Sequence, residues 1–178
     1  GNKTAPLLGR TRELDLLTER WREVAMGAGR GVLLLGEPGI GKSRLTRELR
    51  LRVAGEGRLV WLMRCAALRA NTPFAPLTQL LQRAVPPAES ARPEVRAAAL
   101  ATALQILGCN DDATRAPLAA LLDIEQPSDP AAQTLSAQAL RERTFAAATA
   151  LARAAARQGP TLFVVEDLHW ADPTTLEW

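Results

Sequence analysis

The chain has 178 residues, 47% of them apolar, enough to bury a core and too apolar for a disordered segment. Its longest uncharged run, Ala97 to Asn110, is too short and too alanine-rich to span a bilayer, and no apolar leader opens the chain. Net charge is +3, and all but two of the 22 basic residues are arginines interspersed with Glu and Asp, as on solvated helix faces, so no direct nucleic-acid contact is expected. Cys65 and Cys109 have no metal-ligand neighbours; they form no disulfide framework and suit a reducing, cytoplasmic location as small buried residues.

In chain order, Thr11 is a candidate cap for a first helix, in which Leu14, Leu17, Trp21 and Val24 recur at helical spacing until Gly27 and Gly29. Gly31 to Leu35 is a short apolar run and predicts a buried parallel strand. A glycine-rich turn follows, then a helix from about Lys42 to Val53 and a second strand from about Arg58 to Arg64. From Asn71 to Gln158 the pattern is helical: about Phe74 to Val85, Pro93 to Leu107, Ala116 to Leu122 and a long alanine-rich helix from Ser136 to Arg157, with a proline-bearing loop over Gln126 to Ala132. Thr161 to Val165 predicts the third strand, and Asp172-Pro173 begins another helix, with Asp as cap and Pro in the first turn. A helix begun so close to the last residue reads as part of a longer protein.

The turn Gly36-Glu37-Pro38-Gly39-Ile40-Gly41-Lys42-Ser43 matches G-x-x-x-x-G-K-[ST] at every fixed position. Its glycines let successive N–H groups turn inward to a phosphate, and the following helix adds free amides and the positive end of its dipole. Lys42, one of only two lysines in the chain, supplies a compact charge for the β- and γ-phosphates, and the Ser43 hydroxyl is a Mg²⁺ ligand. Glu166 and Asp167 stand at the C-terminal end of the third strand, where open parallel sheets bind ligands. There one carboxylate serves the metal and the next polarises a water, so both are the candidate catalytic residues, with Ser43 and Glu166 as the metal set. His169, the only histidine, either contacts a phosphate or packs beside Trp170; Asp172 is better explained as a helix cap.

With these residues assembled, the chain resembles the STAND branch of AAA+ ATPases, most of all the modules attached to bacterial class III nucleotidyl cyclases and large helix-turn-helix transcription activators. The motifs are Pro6-Leu7-Leu8-Gly9-Arg10 with Glu13-Leu14, GEPGIGKSRL, Arg143-Thr144-Phe145 and VVEDLHWADPTTLE, with Asn71-Thr72-Pro73-Phe74 in the connection after the second strand. The resemblance implies an α/β P-loop sandwich with a mostly parallel sheet, present here in its N-terminal part: a phosphate-loop half over 1–70, a helical insert over 71–158, and an acidic strand with the next helix start over 159–178.

It further implies bound ATP or ADP with Mg²⁺. Leu8, Gly9 and Arg10 are placed near the base, and Gly36 to Ser43 with Arg44 around the phosphates. The function implied is a nucleotide switch or slow ATPase of a cytoplasmic signalling protein, whose partners are the rest of its own ATPase domain and a cyclase or DNA-binding output domain. AAA+ members usually place Asp before Glu in the acidic strand; here the order is reversed, which favours weak turnover. A later family strand lies between the cradle strand and the acidic strand. Without it, the gap beside Gly31 to Leu35 is expected to be closed by a second copy or an altered strand order, or to be left as a disordered, aggregation-prone edge; full pairing of this strand within the chain, in a monomer, would contradict this. Two other readings are compatible with the cradle: a phosphotransferase with an acceptor pocket in Phe74 to Leu122, and an interaction piece whose cradle is empty.

Overall fold

A computed structural model of the protein describes residues 9–124 and 135–178. The expected loop over Gln126 to Ala132, and Leu8 with the residues before it, lie outside the described residues. The elements in order are α1 (Thr11–Ala25), α2 (Lys42–Gly55), β1 (Leu59–Arg64), α3 (Ala75–Leu81), α4 (Pro93–Leu107), α5 (Asp112–Ala120), α6 (Ala137–Gln158), β2 (Thr161–Glu166) and α7 (Pro173–Glu177). Strands β1 and β2 pair side by side in a small parallel sheet, giving a mixed α/β fold of partial P-loop NTPase type. No described helix is long and apolar enough to cross a membrane.

The chain divides into two compact units, Gly1–Trp61 with Gly159–Val164, and Leu62–Gln158 with Val165–Trp178. In the first, Leu14, Leu17 and Trp21 of α1 meet Leu45, Leu49 and Val53 of α2 in one buried cluster. Both triplets recur at three- to four-residue spacing, so each helix turns a single stripe inward. Hydrogen bonds reinforce the seam: Arg52 Nη1 donates to Thr18 Oγ1 at 3.1 Å and Trp21 Nε1 to Glu56 Oε2 at 2.9 Å. Trp61 and Phe163 meet edge to face, 5.1 Å between centroids.

The second unit is built on α4, α5 and α6. Ala147, Ala148, Leu151, Ala154 and Ala155 form the buried face of α6, and their small side chains let α5 approach closely enough to bury Leu118 and Ala119 completely. Arg96 of α4 is also buried, and its guanidinium donates to the carbonyls of Pro86 (3.1 Å), Leu122 (2.6 Å) and Asp123 (3.5 Å). Cys65 and Cys109 are buried and unpaired, as composition suggested.

Several expectations need correction. Gly31 to Leu35 forms no strand: Val32, Leu33 and Leu35 are more than half exposed, and only Leu34 packs on the α1–α2 core. The reason is physical. An apolar run becomes a strand only when a neighbour accepts its backbone hydrogen bonds, and among the described residues the sheet consists of β1 and β2 alone. Thr11 does not cap α1; it is the first helical residue, and the cap residue Arg10 makes no side-chain capping bond. Helix α5 begins at Asp112 rather than Ala116, because the Asp111 side chain accepts from Thr114 N–H at 2.9 Å and the helix carries Pro117 within it. Helix α3 ends at Leu81, and a series of turns continues to Val85.

Candidate functional site

The phosphate loop lies wholly in the first unit. It leads into α2, whose cap residue Gly41 has φ 98°, a left-handed conformation in which a side chain would be strained. Gly36 is constrained differently: a Cβ there would lie 3.1 Å from Ile40 Cγ2. The loop closes on itself through Ile40 N–H to Glu37 O at 3.4 Å. The first α2 bond runs from Leu45 N–H to Gly41 O at 3.0 Å, so the amides of Lys42, Ser43 and Arg44 have no helical acceptor.

Lys42 bends back over this loop. Its Nζ donates to Gly36 O at 2.6 Å and Glu37 O at 2.9 Å. An ammonium has three donors, so the two carbonyls orient the charge and leave one N–H for an incoming anion. Ser43 is exposed at the first turn, with its carbonyl accepting from Thr46 Oγ1 at 3.0 Å. Arg44 Nε and Nη2 are buried yet have no hydrogen-bond partner among the described residues, an unfavourable state that an acceptor from a ligand would relieve.

Arg10 comes to the same loop. Its Nη2 donates to Ile40 O at 3.1 Å, while Nη1 is paired with Glu13 Oε1 at 2.6 Å. Hydrogen bonds from its own backbone amide and from Arg10 hold the Glu13 carboxyl below its usual range. Gly9, with φ 78°, supplies the turn before Arg10. Pro38 and Gly39 are exposed at the tip of the loop, where Gly39 has φ 81°.

The acidic pair belongs to the second unit. Glu166 ends β2, is largely buried, and accepts from Arg64 Nε at 2.8 Å, while its carbonyl accepts from Cys65 N–H at 3.0 Å. Arg64 as the carboxylate's partner was not anticipated; the only sequence signal is a basic residue closing the neighbouring strand. Asp167 is exposed and takes a left-handed conformation, φ 60°, which turns the chain out of β2. Asp tolerates this better than most residues, yet such a conformation at a strand end is a known mark of functional sites. Burial raises the Cys65 thiol pKa, and the Asp172 and Asp167 charges raise it further.

His169 is exposed and lies against the Trp170 ring, 5.0 Å between centroids. Asp172 caps α7: Oδ1 accepts from Thr175 N–H at 3.0 Å, and Oδ2 from the Thr175 hydroxyl. Among the described residues no three of His, Cys, Asp and Glu form a metal cage. Mg²⁺ needs no such cage, since one or two hard protein oxygens and phosphate oxygens suffice, and a hydroxyl and a carboxylate are oxygen donors of that kind.

A lysine ordered over a glycine loop at a helix N-terminus defines the P-loop class of nucleotide-binding proteins. Within that class the chain belongs to the AAA ATPase domain family, which it matches over residues 6–178, and its general function is therefore that of a nucleotide-binding ATPase domain. It is 32% identical over 180 residues to an uncharacterized protein of Rhizobium meliloti (strain 1021), an alignment that covers 98% of this chain. The chain spans only 17% of that relative's length. No solved structure matches it significantly.

Proposed function

We propose that the chain is the ATP- or ADP-binding part of a regulatory ATPase module, in which nucleotide state sets the arrangement of a larger cytoplasmic signalling or transcription-regulatory protein. The observation that carries this reading is the Lys42 ammonium, oriented by two loop carbonyls beside amides that have no helical acceptor. The residues fit the group. Gly36, Glu37, Pro38, Gly39, Ile40 and Gly41 offer backbone to the phosphates, and Lys42 offers charge. Arg44 is a second cation, supported by its orphaned N–H groups. In the first unit Ser43 is assigned as an oxygen donor for Mg²⁺; in the second, the motif resemblance makes Glu166 the candidate metal carboxylate and Asp167 the candidate group that orients water. Gly9 and Arg10 are assigned to the base end of the nucleotide, as the motif resemblance implies. A bound divalent cation supplies charge neutralisation at the terminal phosphates.

Turnover is expected to be slow. Glu166 already has a guanidinium partner, which a cation must share or displace. The acid that follows it is one methylene shorter than a glutamate and has less reach toward water. Such a domain works better as a switch than as an engine.

Calorimetric titration with MgADP and MgATP tests the reading. The chain is expected to bind both, and Lys42→Ala to abolish binding while the circular dichroism spectrum is unchanged. Equal affinity in the variant would end the proposal.

A further inference from the structure

We infer that Arg10 is a positioning residue of the phosphate loop, setting the direction of an amide that meets the phosphate; this rests on the nucleotide-binding reading above. Three side-chain bonds tie the segment of α1 to that of α2. Arg10 reaches Ile40 O at 3.1 Å, Arg52 reaches Thr18 at 3.1 Å, and Trp21 reaches Glu56 at 2.9 Å. The partners rise together, from 10 with 40, through 18 with 52, to 21 with 56, so the two helices run parallel. The arginine therefore lies at the phosphate end of α2. Leu14, Leu17 and Trp21 are buried against α2, so the backbone that carries Arg10 is held by the core and not by the loop.

The consequence follows from peptide geometry. No peptide bond described is cis, and in a planar trans unit the carbonyl of Ile40 and the N–H of Gly41 point in opposite directions. By holding the carbonyl on its own side, Arg10 turns the Gly41 N–H to the other side. Gly41, at φ 98°, has the freedom to lose this orientation, because glycine has no Cβ to restrict it. Glu13 holds the second arm of the guanidinium at 2.6 Å, so the fork bridges a carboxylate and the loop. Arg10 thus reduces the ordering that the loop must undergo when a nucleotide enters.

Amide hydrogen exchange at Gly41 and calorimetry with MgADP test this on the whole chain, comparing Arg10→Ala, Arg10→Lys and Arg52→Ala. Arg52→Ala removes another tie between the same helices without touching the loop. Arg10→Ala is expected to speed Gly41 exchange in the unliganded chain and to weaken MgADP about tenfold, the scale of one charged hydrogen bond. Arg10→Lys should fall between, and Arg52→Ala should match the parent in both readouts. Unchanged Gly41 exchange in Arg10→Ala, or an Arg52→Ala variant that reproduces its effects, would overturn the inference. A parent chain that binds no MgADP would defeat the nucleotide reading instead, and the exchange comparison would still decide the role of Arg10.

Discussion

Replacing Arg96 by methionine tests what holds the helical unit together. The residue is 7% exposed and donates two well-formed bonds, to Leu122 O at 2.6 Å and Pro86 O at 3.1 Å, and a third, longer and weaker, to Asp123 O at 3.5 Å. Two of these carbonyls, Leu122 and Asp123, follow α5, where helix carbonyls lack internal donors and the dipole favours a cation. Methionine fills similar space, so little cavity arises and the loss is electrostatic. Each charged bond contributes about 1.5–3 kcal/mol, so the low end for two bonds is about 3 kcal/mol. With a urea slope of about 2 kcal/mol per molar, the midpoint should fall by about 1.5 M. Lysine at 96 keeps a charge but not the fork, and should lose about half as much. Trp178, whose indole N–H meets Thr149 Oγ1 at 3.3 Å, reports on this unit when Trp21, Trp61 and Trp170 are replaced by phenylalanine. An Arg96→Met midpoint equal to that of the parent would refute the assignment.

Three further outcomes are expected. Arg44→Met should weaken MgADP binding without lowering the melting temperature, because it removes buried donors that have no partner among the described residues; a substantial loss of stability would show that they are satisfied in solution. Glu166→Gln should cost under about 1 kcal/mol of stability, since Arg64 is 58% exposed and returns to water, while the Mg²⁺-dependent part of ATP affinity falls in paired titrations with and without Mg²⁺. A magnesium response equal to the parent's would remove Glu166 from the metal set. The Asp111 carboxyl lies below its ordinary value, chiefly because it accepts from the Thr114 amide. The folded state therefore binds this proton less readily than the unfolded state. Its contribution is present above the ordinary aspartate value of 3.8 and is lost as pH falls through the lowered folded value. Asp111→Asn keeps a cap but cannot titrate, so its acid-unfolding profile should be shallower below about pH 4, and parallel profiles would contradict the assignment.

Local chemistry was legible in the linear chain. Helix α4 spans Pro93–Leu107 as its signals indicate, with proline in the first turn and Gly108 left-handed after the last. Asp172 caps α7 through a residue three positions on, and the loop motif announced Lys42 and its glycines because all of them lie within eight positions. Such bonds are decided by neighbours that the order of residues already brings together. The Asp111 cap is equally local, yet the expected start of α5 at Ala116 fell four residues past the observed one at Asp112.

Tertiary structure decided the rest. Arg10 finds Ile40 across 30 positions, Arg96 finds Leu122 across 26 and Arg64 finds Glu166 across 102, and no spacing rule links such pairs. Gly31 to Leu35 shows the same boundary from the other side. Its composition favours a strand, yet a strand is a relation between two segments, and the described residues provide no second one to pair with it. Helical hydrogen bonds close within four residues, so sequence can specify them; ladders and long-range ion pairs form only when folding brings distant segments together.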